Sequence, residues 1–426
     1  MPTSIGRHVP AYSSSMTTLS VASDPATLGF DSSRLSRLDR HFDRYVEDGR
    51  LAGWQLAVTR RGKIAHTAKS GYLDQELQKP LPDNAIWRIA SMTKPITSVA
   101  AMMLWEQGHF ELKDPVSNFI PEFANTLVWA GETDGEPDLV PQAEPMLMWH
   151  LMTHTTGMTY GFMHAHPVDA MYRKAGFDYE MPKDIDLAGL CTRLASLPLV
   201  FQPGAEWTYS MSIDVLGRIV EILSGMTLAE FMRQRLFEPL GMVDTAFSMS
   251  RENADRIARP YMAHPQTKVA IPLPGRAEAV FETPAAFLGG GGLGSTVHDY
   301  LRFAEMLRCG GELDGARILS PKTIALMTRN HLPGGADLTE FGRPLFAETT
   351  FDGVGFGLLG SVTLNPVKAK VPGSVGDFGW GGAFSTFFWV DPVEDLTCVF
   401  MTQILPSSTH PIRSQLKQLV HQALVD

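Results

Sequence analysis

Residues 86–97 read IWRIASMTKPIT and contain a Ser-x-x-Lys motif, formed by Ser91 and Lys94. The pattern after the motif predicts a helix over 93–107. Because residues three apart share one face of a helix, the Lys94 amine can lie beside the Ser91 hydroxyl, near the positive end of the helix dipole. A buried, neutral lysine can take the hydroxyl proton and make serine a nucleophile for acyl transfer. A serine helix cap followed by a solvated lysine is the alternative.

The two ends of the chain carry a similar pattern of short strands and helices. They predict, in chain order, a helix at 31–48, strands at 54–58 and 64–68, strands at 384–390 and 396–401, and a terminal helix at 411–424. The region between them is mostly helical, with helices predicted at 93–107, 150–153, 187–195, 212–223 and 228–236. The ends of the chain therefore predict one unit around an antiparallel sheet, with a helical region inserted into it.

This pattern predicts an α+β fold with two lobes. Residues 26–90 and 285–426 would form an α/β lobe with an antiparallel sheet flanked by helices, and 91–284 a mostly helical lobe, with the active site at the lobe interface. Residues 1–25 are expected to be disordered or loosely attached. The stretches 128–145 and 260–283, rich in Gly, Pro and acids, are predicted to be long irregular walls or lids of the site.

Composition excludes several classes of protein. Of 426 residues, 44% are hydrophobic and 19% charged, which excludes a disordered or coiled-coil chain. The net charge of −10 and the lack of a basic patch indicate no nucleic-acid partner, and no apolar run is long enough to cross a membrane. No secretory signal is visible, so we expect a cytoplasmic protein. The cysteines Cys191, Cys309 and Cys398 are predicted to be buried thiols of a reducing compartment.

Four further blocks follow the Ser-x-x-Lys motif. They read HLMTHTTGM at 150–158, PGAEWTYS at 203–210, GGGGL at 289–293 and WGG at 380–382. Together the five blocks resemble those of the serine β-lactamase/penicillin-binding-protein-like hydrolases, most closely the family VIII carboxylesterases with the class C β-lactamase fold. The resemblance runs from about residue 31 to the C terminus. It implies a β-lactamase/transpeptidase-like fold and an enzyme without a cofactor.

The resemblance implies a role for each motif residue. Ser91 would be the acylated nucleophile and Lys94 its activating base. Tyr209 matches the family's second motif, whose tyrosine, as phenolate or hydrogen-bonded phenol, carries the proton to the leaving group and later activates water. The backbone N–H groups of Ser91 and Ala383 would form the oxyanion hole. Because lysine and tyrosine each titrate near about pH 10 alone, we expect a relay in which Lys94 holds Tyr209 in a low-pKa state.

Two departures from the superfamily pattern indicate the substrate. β-Lactamases and peptidases usually have Lys-Thr-Gly or His-x-Gly in the third motif, where the cation recognises a carboxylate, but Trp380 is neutral. The second motif normally ends in Asn, which holds an amide, whereas Met211 offers a thioether and only apolar contact. We therefore expect uncharged esters with short to medium acyl groups. The predicted substrate-binding residues are Trp380, Gly381, Gly382, Tyr160 and Met211.

Other functions stay open at this point. An acyltransferase or a β-lactamase-type hydrolase could use the same residues, with a weak β-lactamase side activity compatible with either. From another class, the chain could be a catalytically silent binding or scaffold protein, although such proteins commonly lose the serine, lysine or tyrosine. The expected partner is a small-molecule ester, and the sequence specifies no oligomeric state.

Two binding motifs are set aside. His150 and His154, with two more histidines at 164 and 166, could suggest a metal, but no acidic partner has metalloprotease spacing, so no metal is predicted. The glycines at 289–294 satisfy a dinucleotide fingerprint only formally, because no βαβ unit surrounds them. We interpret them as a loop that enters a helix over 297–307.

Overall fold

The computed structural model describes residues 19–426 except 23, 180 and 275–277. Its α-helices are α1 Ser32–Glu47, α2 Thr93–Glu106, α3 Met148–Thr153, α4 Pro167–Lys174, α5 Leu187–Ala195, α6 Ser212–Ser224, α7 Leu228–Met232, α8 Glu238–Leu240, α9 Val297–Arg308, α10 Pro321–Met327, α11 Leu338–Phe341, α12 Pro366–Ala369 and α13 Ile412–His421. Its strands are β1 Gly53–Arg60, β2 Lys63–Asp74, β3 Lys79–Pro80, β4 Trp87–Arg88, β5 Val128–Thr133, β6 Glu136–Val140, β7 Tyr261–Ala263, β8 Ala270–Pro272, β9 Gly294–Ser295, β10 Glu312–Leu313, β11 Ala316–Arg317, β12 Val354–Phe356, β13 Ser361–Thr363, β14 Phe378–Gly381, β15 Phe387–Asp391, β16 Leu396–Thr402 and β17 Ile404–Leu405.

One large sheet joins the two ends of the chain. Its strand order is β12-β13-β14-β15-β16-β1-β2-β3, and every neighbouring pair is antiparallel. The central strands β1 and β16 are buried along their whole length, as their apolar sequences require, and pair so that Leu56 lies opposite Phe400. The strand β2 alternates between exposed and buried residues nearer the edge. The predicted α+β class and the strand pairs at both ends of the chain are confirmed.

Helices cover both faces of this sheet. On one face α1 and α13 pack over aromatic residues, with the Phe42 ring centroid 4.9 Å from that of Phe400. On the other face lies α9, whose Tyr300 ring is 5.0 Å from the Phe388 ring. The Tyr300 hydroxyl also donates to the Met92 carbonyl at 2.8 Å. The helix α9 therefore fixes the start of α2 against the sheet.

The helix α2 lies at the centre of the helical region. It contacts α6, which in turn packs against α3, α5 and α7. Its first twelve residues are all buried, so no polar face of this segment is open to solvent. The 3₁₀ turn Ala90–Met92 leads into α2 and contacts β14. This arrangement places Ser91 where the helices meet the sheet.

Two stretches predicted to be irregular contain strands. Residues 128–145 hold the hairpin β5–β6, whose two-residue turn consists of Asp134 and Gly135, both with positive φ. Asp-Gly is a typical type I′ hairpin signal, and the exposed, polar strands hid the alternation that would have marked them. Residues 260–283 contain β7 and β8, and Tyr261 packs into the core against the sheet. Both predictions of irregular structure are wrong over these strands.

Further differences concern single positions. Cys191 and Cys398 are buried as predicted, but Cys309 is exposed because it follows the last turn of α9 at the surface. Most of the predicted loose segment 1–25 lies outside the described residues, although Ser20 and Ala22 exchange backbone hydrogen bonds with Ile64. Within the described residues no helix is both long and apolar enough to cross a membrane.

Candidate active site

Ser91 and Lys94 lie side by side, as the spacing of their motif predicts. The Lys94 Nζ donates to Ser91 Oγ at 3.3 Å and to the Gly290 carbonyl at 2.6 Å. Ala90, directly before Ser91, has φ 43°, a left-handed conformation that costs free energy for a residue with a Cβ. The strained backbone of Ala90 therefore places Ser91 just before the N terminus of α2.

Burial determines the charge of Lys94. Its side chain is 3% exposed, and this burial lowers its pKa to about 8, while the carboxylates of Asp214 and Glu348 offset part of the effect. Asp214 is itself tied to the same loop, because its Oδ1 accepts from the Gly290 backbone N–H at 2.8 Å. The Gly290 residue thus bridges Asp214 and Lys94. A substantial fraction of Lys94 is neutral just above neutral pH and able to accept a proton.

Tyr209 lies against Lys94 but is not a phenolate. Its ring centroid is 4.6 Å from Lys94 Nζ. Burial raises the pKa of Tyr209 well above its usual value, and Glu348 raises it further, outweighing the Ser91 hydroxyl, the Trp380 indole and Arg413, which lower it. The expectation of a low-pKa Tyr209 is therefore wrong. The phenol is neutral. Its hydroxyl lies near the Ser91 hydroxyl and the Trp380 indole but forms no hydrogen bond of standard distance and angle with any described residue.

Aromatic rings hold Tyr209 in place. The rings of Tyr160 and Trp380 each lie with their centroids 5.4 Å from that of Tyr209, and Phe356 packs 5.2 Å from Trp380. Trp380 and Met211 are both fully buried, with 0% of their surface exposed. In this structure Trp380 and Met211 pack the site instead of presenting surface to a substrate. Tyr160 also lies near the lysine, with its ring centroid 5.5 Å from Lys94 Nζ.

The third motif meets the turn that carries Ser91. A Cβ on Gly382 would overlap the Ile89 carbonyl oxygen, and the Thr386 hydroxyl donates to that same oxygen at 3.3 Å. The glycine thus permits a close approach of the two backbones. Within the described residues, the backbone N–H groups of Ser91 and Ala383 donate to no protein acceptor. Two free donors therefore lie where these segments meet.

Sequence reasoning missed a network that joins two of the motif blocks. The His154 Nδ1 lies 3.1 Å from Ser210 Oγ, Ser210 Oγ lies 2.7 Å from Ser212 Oγ, and Ser212 Oγ lies 2.9 Å from Thr156 Oγ1. Burial and the charge of Lys94 lower the pKa of His154 well below its usual value, so the ring is neutral. The signal for this network was the cluster of hydroxyl residues in both blocks.

Three of the four histidines set aside as a metal cluster have separate structural roles. The His150 Nδ1 accepts from the Leu147 backbone N–H at 3.0 Å, at the start of α3. The His166 Nδ1 accepts from the Val168 N–H at 3.2 Å, at the start of α4. These contacts cap two helices and leave His154 to the hydroxyl network.

Three acidic or basic residues of the site also lay outside every motif. Asp214 lies on α6, five positions after Tyr209 in the sequence. The only sequence feature that marked it was its place as an acidic residue within an apolar helical segment. Glu348 and Arg413 reach the site from a loop and from α13, and no spacing pattern links them. Glu348 is 1% exposed and pairs with the guanidinium of Arg413.

Comparison with known proteins agrees with this geometry. The Beta-lactamase family model matches residues 38–422. The esterase EstB of Burkholderia gladioli is 32% identical over 397 residues, which cover 89% of this chain and 93% of EstB. The lovastatin esterase of Penicillium rubens is 30% identical over 400 residues, 89% of this chain and 96% of that enzyme. The structure of EstCE1, a hydrolase with promiscuous acyltransferase activity, matches with TM-score 0.76 and 26% identity, covering 94% of this chain and 99% of EstCE1.

These matches span the sheet, the inserted helices and all five motif blocks. The predicted β-lactamase/transpeptidase-like fold is confirmed, since both the family model and EstCE1 cover nearly the whole described chain. The resemblance to serine hydrolases of this superfamily, with esterases among its members, is confirmed as well. The chain belongs to the Beta-lactamase family.

Proposed function

We propose that this protein is a serine carboxylesterase that hydrolyses uncharged esters with short to medium acyl groups through an acyl-enzyme on Ser91. The observation that carries the proposal is the buried Lys94 amine, with a pKa lowered to about 8, at 3.3 Å from the Ser91 hydroxyl. A neutral amine at this distance is placed to take the serine proton. The esterases EstB and lovastatin esterase, both at least 30% identical, support the same reaction class.

Acylation follows from the positions of three side chains. Neutral Lys94 takes the proton of Ser91 as Oγ attacks the ester carbonyl, and the oxyanion of the tetrahedral intermediate accepts from the N–H groups of Ser91 and Ala383. The neutral Tyr209 phenol donates its proton to the leaving alkoxide, and Lys94 returns its proton to Tyr209. The alcohol leaves, and the acyl group stays on Ser91. The relay therefore starts from a neutral amine and a neutral phenol.

Deacylation reverses the same proton path with water as the nucleophile. Neutral Lys94 takes a proton from water, directly or through Tyr209, and the resulting hydroxide attacks the acyl carbonyl. Collapse of the second tetrahedral intermediate breaks the bond to Ser91 Oγ, which recovers its proton from Lys94. The carboxylic acid product leaves, and the site returns to its resting protonation.

An aromatic row supports an apolar acyl or alcohol group. The rings of Tyr160 and Phe162 stack with centroids 4.7 Å apart, and Phe162 stacks on Tyr179 at 5.0 Å. Tyr160 is buried beside Lys94, whereas Tyr179 is 67% exposed. The row thus runs from the nucleophile to the surface and offers only apolar contact along its rings.

Acyl transfer to an alcohol is a second candidate. It uses the same acyl-enzyme with an alcohol in place of water, and EstCE1 is described as having such promiscuous activity. Adding ethanol or a longer alcohol during turnover of a chromogenic ester would separate the two. Hydrolysis predicts that the free acid remains the main product, whereas a dedicated transferase would form mostly the new ester.

The nucleophile is tested by Ser91→Ala. We expect this variant to lose ester turnover and covalent labelling by a fluorophosphonate, measured by intact mass spectrometry, while its circular dichroism stays unchanged. Ser98→Ala is the matched control, because Ser98 is buried on α2, the helix that begins two residues after Ser91, and its hydroxyl has no partner among the described residues. Labelling of Ser91→Ala at the wild-type rate would contradict the proposal. A wild-type protein that takes no label would instead favour a silent binding protein.

A further inference from the structure

The ion pair of Glu348 and Arg413 lies directly behind the third motif. The Glu348 carboxylate is almost completely buried and accepts from the Ser407 hydroxyl at 2.8 Å as well as from the Arg413 guanidinium. Arg413 is the second residue of α13, on the face of the sheet opposite the side chain of Trp380. A buried charged pair at this place requires a reason, because apolar residues of similar volume often stabilise a fold equally well.

Arg413 also reaches the backbone of the motif itself. Its Nη2 donates to the Gly382 carbonyl at 3.2 Å. A Cβ on Gly381 would overlap the guanidinium group, so this glycine lets the planar cation lie against the strand. The two glycines of the motif thus face different neighbours: Gly381 faces Arg413, and Gly382 faces the Ile89 carbonyl.

The Gly382 carbonyl belongs to the same peptide group as the Ala383 N–H. A peptide group is planar and trans, so a donor that fixes the direction of the C=O also fixes the opposite direction of the N–H. A charged donor on the oxygen also polarises the group, which makes its N–H a stronger donor. Arg413 therefore acts on the peptide group whose N–H is the proposed oxyanion donor, through its hydrogen bond to the Gly382 carbonyl and not through a substrate.

We propose that Arg413, held by Glu348 and Ser407, is a positioning residue that aims and strengthens the Ala383 N–H of the oxyanion hole. The inference rests on the proposed function, since it needs an oxyanion on the Ser91 adduct. It assigns a role to buried Glu348 and half-buried Arg413, two charged residues that no motif includes. It also explains why the residue after Trp380 is a glycine, because a Cβ on Gly381 would overlap the guanidinium group.

The carboxylate of Glu348 has a second effect on the site. The charged groups that act on Lys94 are Asp214 on α6 and, from behind the third motif, Glu348, and both raise its pKa against the effect of burial. The neutral groups around Lys94 are Tyr160, Tyr209 and His154. Removing the charge of Glu348 should therefore lower the pKa of Lys94 and move the acid limb of the activity profile to lower pH.

The chain contains a matched control pair one helical turn away. Lys417 on α13 pairs with Asp377 at 2.7 Å, and the Asp377 carboxylate also accepts from the Thr363 hydroxyl at 2.6 Å. Like the pair of Glu348, this pair holds α13 through a carboxylate that is at most 2% exposed, here one at the start of β14. It lies at the other end of β14 and makes no contact with Gly382. It should contribute to stability without acting on the oxyanion hole.

The experiment compares Arg413→Met with Lys417→Met, using a p-nitrophenyl ester and the burst of p-nitrophenol to measure acylation. We expect Arg413→Met to lower the acylation rate constant by about 10- to 100-fold, less than loss of a whole oxyanion donor, with the dissociation constant of the substrate within about twofold. Lys417→Met should stay within about threefold of wild type. Arg413→Lys should fall between, because an ammonium cannot bond Glu348 and Gly382 in one plane.

Equal acylation rates in Arg413→Met and Lys417→Met, at matched melting temperatures, would overturn the inference. If Arg413→Met does not fold, Glu348→Gln serves instead, because it removes the charge that holds Arg413 in place. Its acylation rate constant should fall below that of Asp377→Asn, and equal acylation rate constants in these two variants would overturn the inference. Ser91→Ala separates the two proposals. Loss of labelling in Ser91→Ala together with an unaffected Arg413→Met contradicts only the role of Arg413, while retained labelling contradicts the proposed function and the inference with it.

Discussion

The lowered pKa of Lys94 predicts how activity depends on pH. The base is the neutral amine, so the protonated form below its pKa of about 8 is inactive. We expect kcat/KM for an uncharged ester to rise with pH, with a midpoint near 8, and to level off on the alkaline side. Asp214→Asn should move the midpoint to lower pH, because Asp214 raises the pKa of Lys94. An unchanged midpoint of the pH profile in Asp214→Asn, or a wild-type midpoint near pH 10, would contradict the assignment of Lys94 as the base.

Tyr209→Phe should separate activity from stability. The Tyr209 hydroxyl is buried and has no partner among the described residues, so removing it costs the folded state no hydrogen bond, and the free energy of unfolding should change by less than about 1 kcal/mol. The same hydroxyl is the proposed proton donor to the leaving group, so acylation should slow by several kcal/mol, on the order of loss of a triad member. Urea unfolding and the burst rate constant measure the two effects.

The double variant of Lys94 and Tyr209 is the control for that interpretation. If Lys94→Ala and Tyr209→Phe both interrupt the same proton relay, the acylation rate constant of the double variant should be scarcely lower than that of either single variant. Losses that multiply would show two independent roles, even with Ser91 confirmed as the nucleophile.

How far single residues could be predicted depended on local spacing. Ser91 and Lys94 share one helical turn, so their contact follows from the sequence alone. The charge of Tyr209 could not be predicted, because its pKa depends first on burial in the folded chain and then on Glu348, which is distant in the sequence. Arg413 and Glu348, 65 positions apart, carry no spacing signal at all.

Among the secondary-structure elements, the strongly patterned ones were predicted best. The predicted helix at 187–195 agrees with α5 residue for residue, since its apolar positions face one core. The hairpin β5–β6 was missed because most of its residues are exposed, which leaves the Asp134-Gly135 turn as its only clear signal. A strand or helix that buries little apolar surface shows little hydrophobic periodicity in its sequence, so such an element is hard to predict even when it is present in the fold.

The glycine loop before α9 gives a prediction at this scale. A Cβ on Gly290 would lie 2.6 Å from the Asp214 carboxylate, whereas a Cβ on Gly291 would find its nearest neighbour at 3.9 Å. We expect Gly290→Ala to displace the carboxylate and the Lys94 anchor, with a loss of about 1–3 kcal/mol in stability and at least a tenfold loss in kcat/KM. Gly291→Ala is the control within the same loop and should keep both properties. Thermal unfolding and ester kinetics measure the two properties in both variants. Equal losses in Gly290→Ala and Gly291→Ala would contradict a specific role for the Gly290 position.

In the whole molecule, the two ends of the chain form the large sheet, and the middle region contributes most of the residues proposed to move protons. Ser91, Lys94, Tyr209 and Asp214 lie on or beside helices of the middle region, while Gly382 and Arg413 come from the C-terminal part. The order of elements along the sequence predicted this division. The sequence did not show that α13 contacts the third motif, because that contact depends on how the helix crosses the sheet.

The charge distribution of the whole chain predicts a preference among substrates. The net charge of the chain is −10. Among the described residues, the charged groups that act on neutral Lys94 and on Tyr209 are the carboxylates of Asp214 and Glu348 and the guanidinium of Arg413. The third-motif position that carries a cation in β-lactamases and peptidases is here neutral, buried Trp380, which cannot pair with a substrate carboxylate. We therefore expect methyl 4-(butyryloxy)benzoate to react at least about tenfold faster in kcat/KM than the corresponding free carboxylate, and benzylpenicillin to react far more slowly than either. Each rate is divided by that compound's rate with hydroxide to remove intrinsic reactivity. Added salt should narrow the difference by screening, and equal corrected rates at low salt would contradict a site selective for uncharged esters.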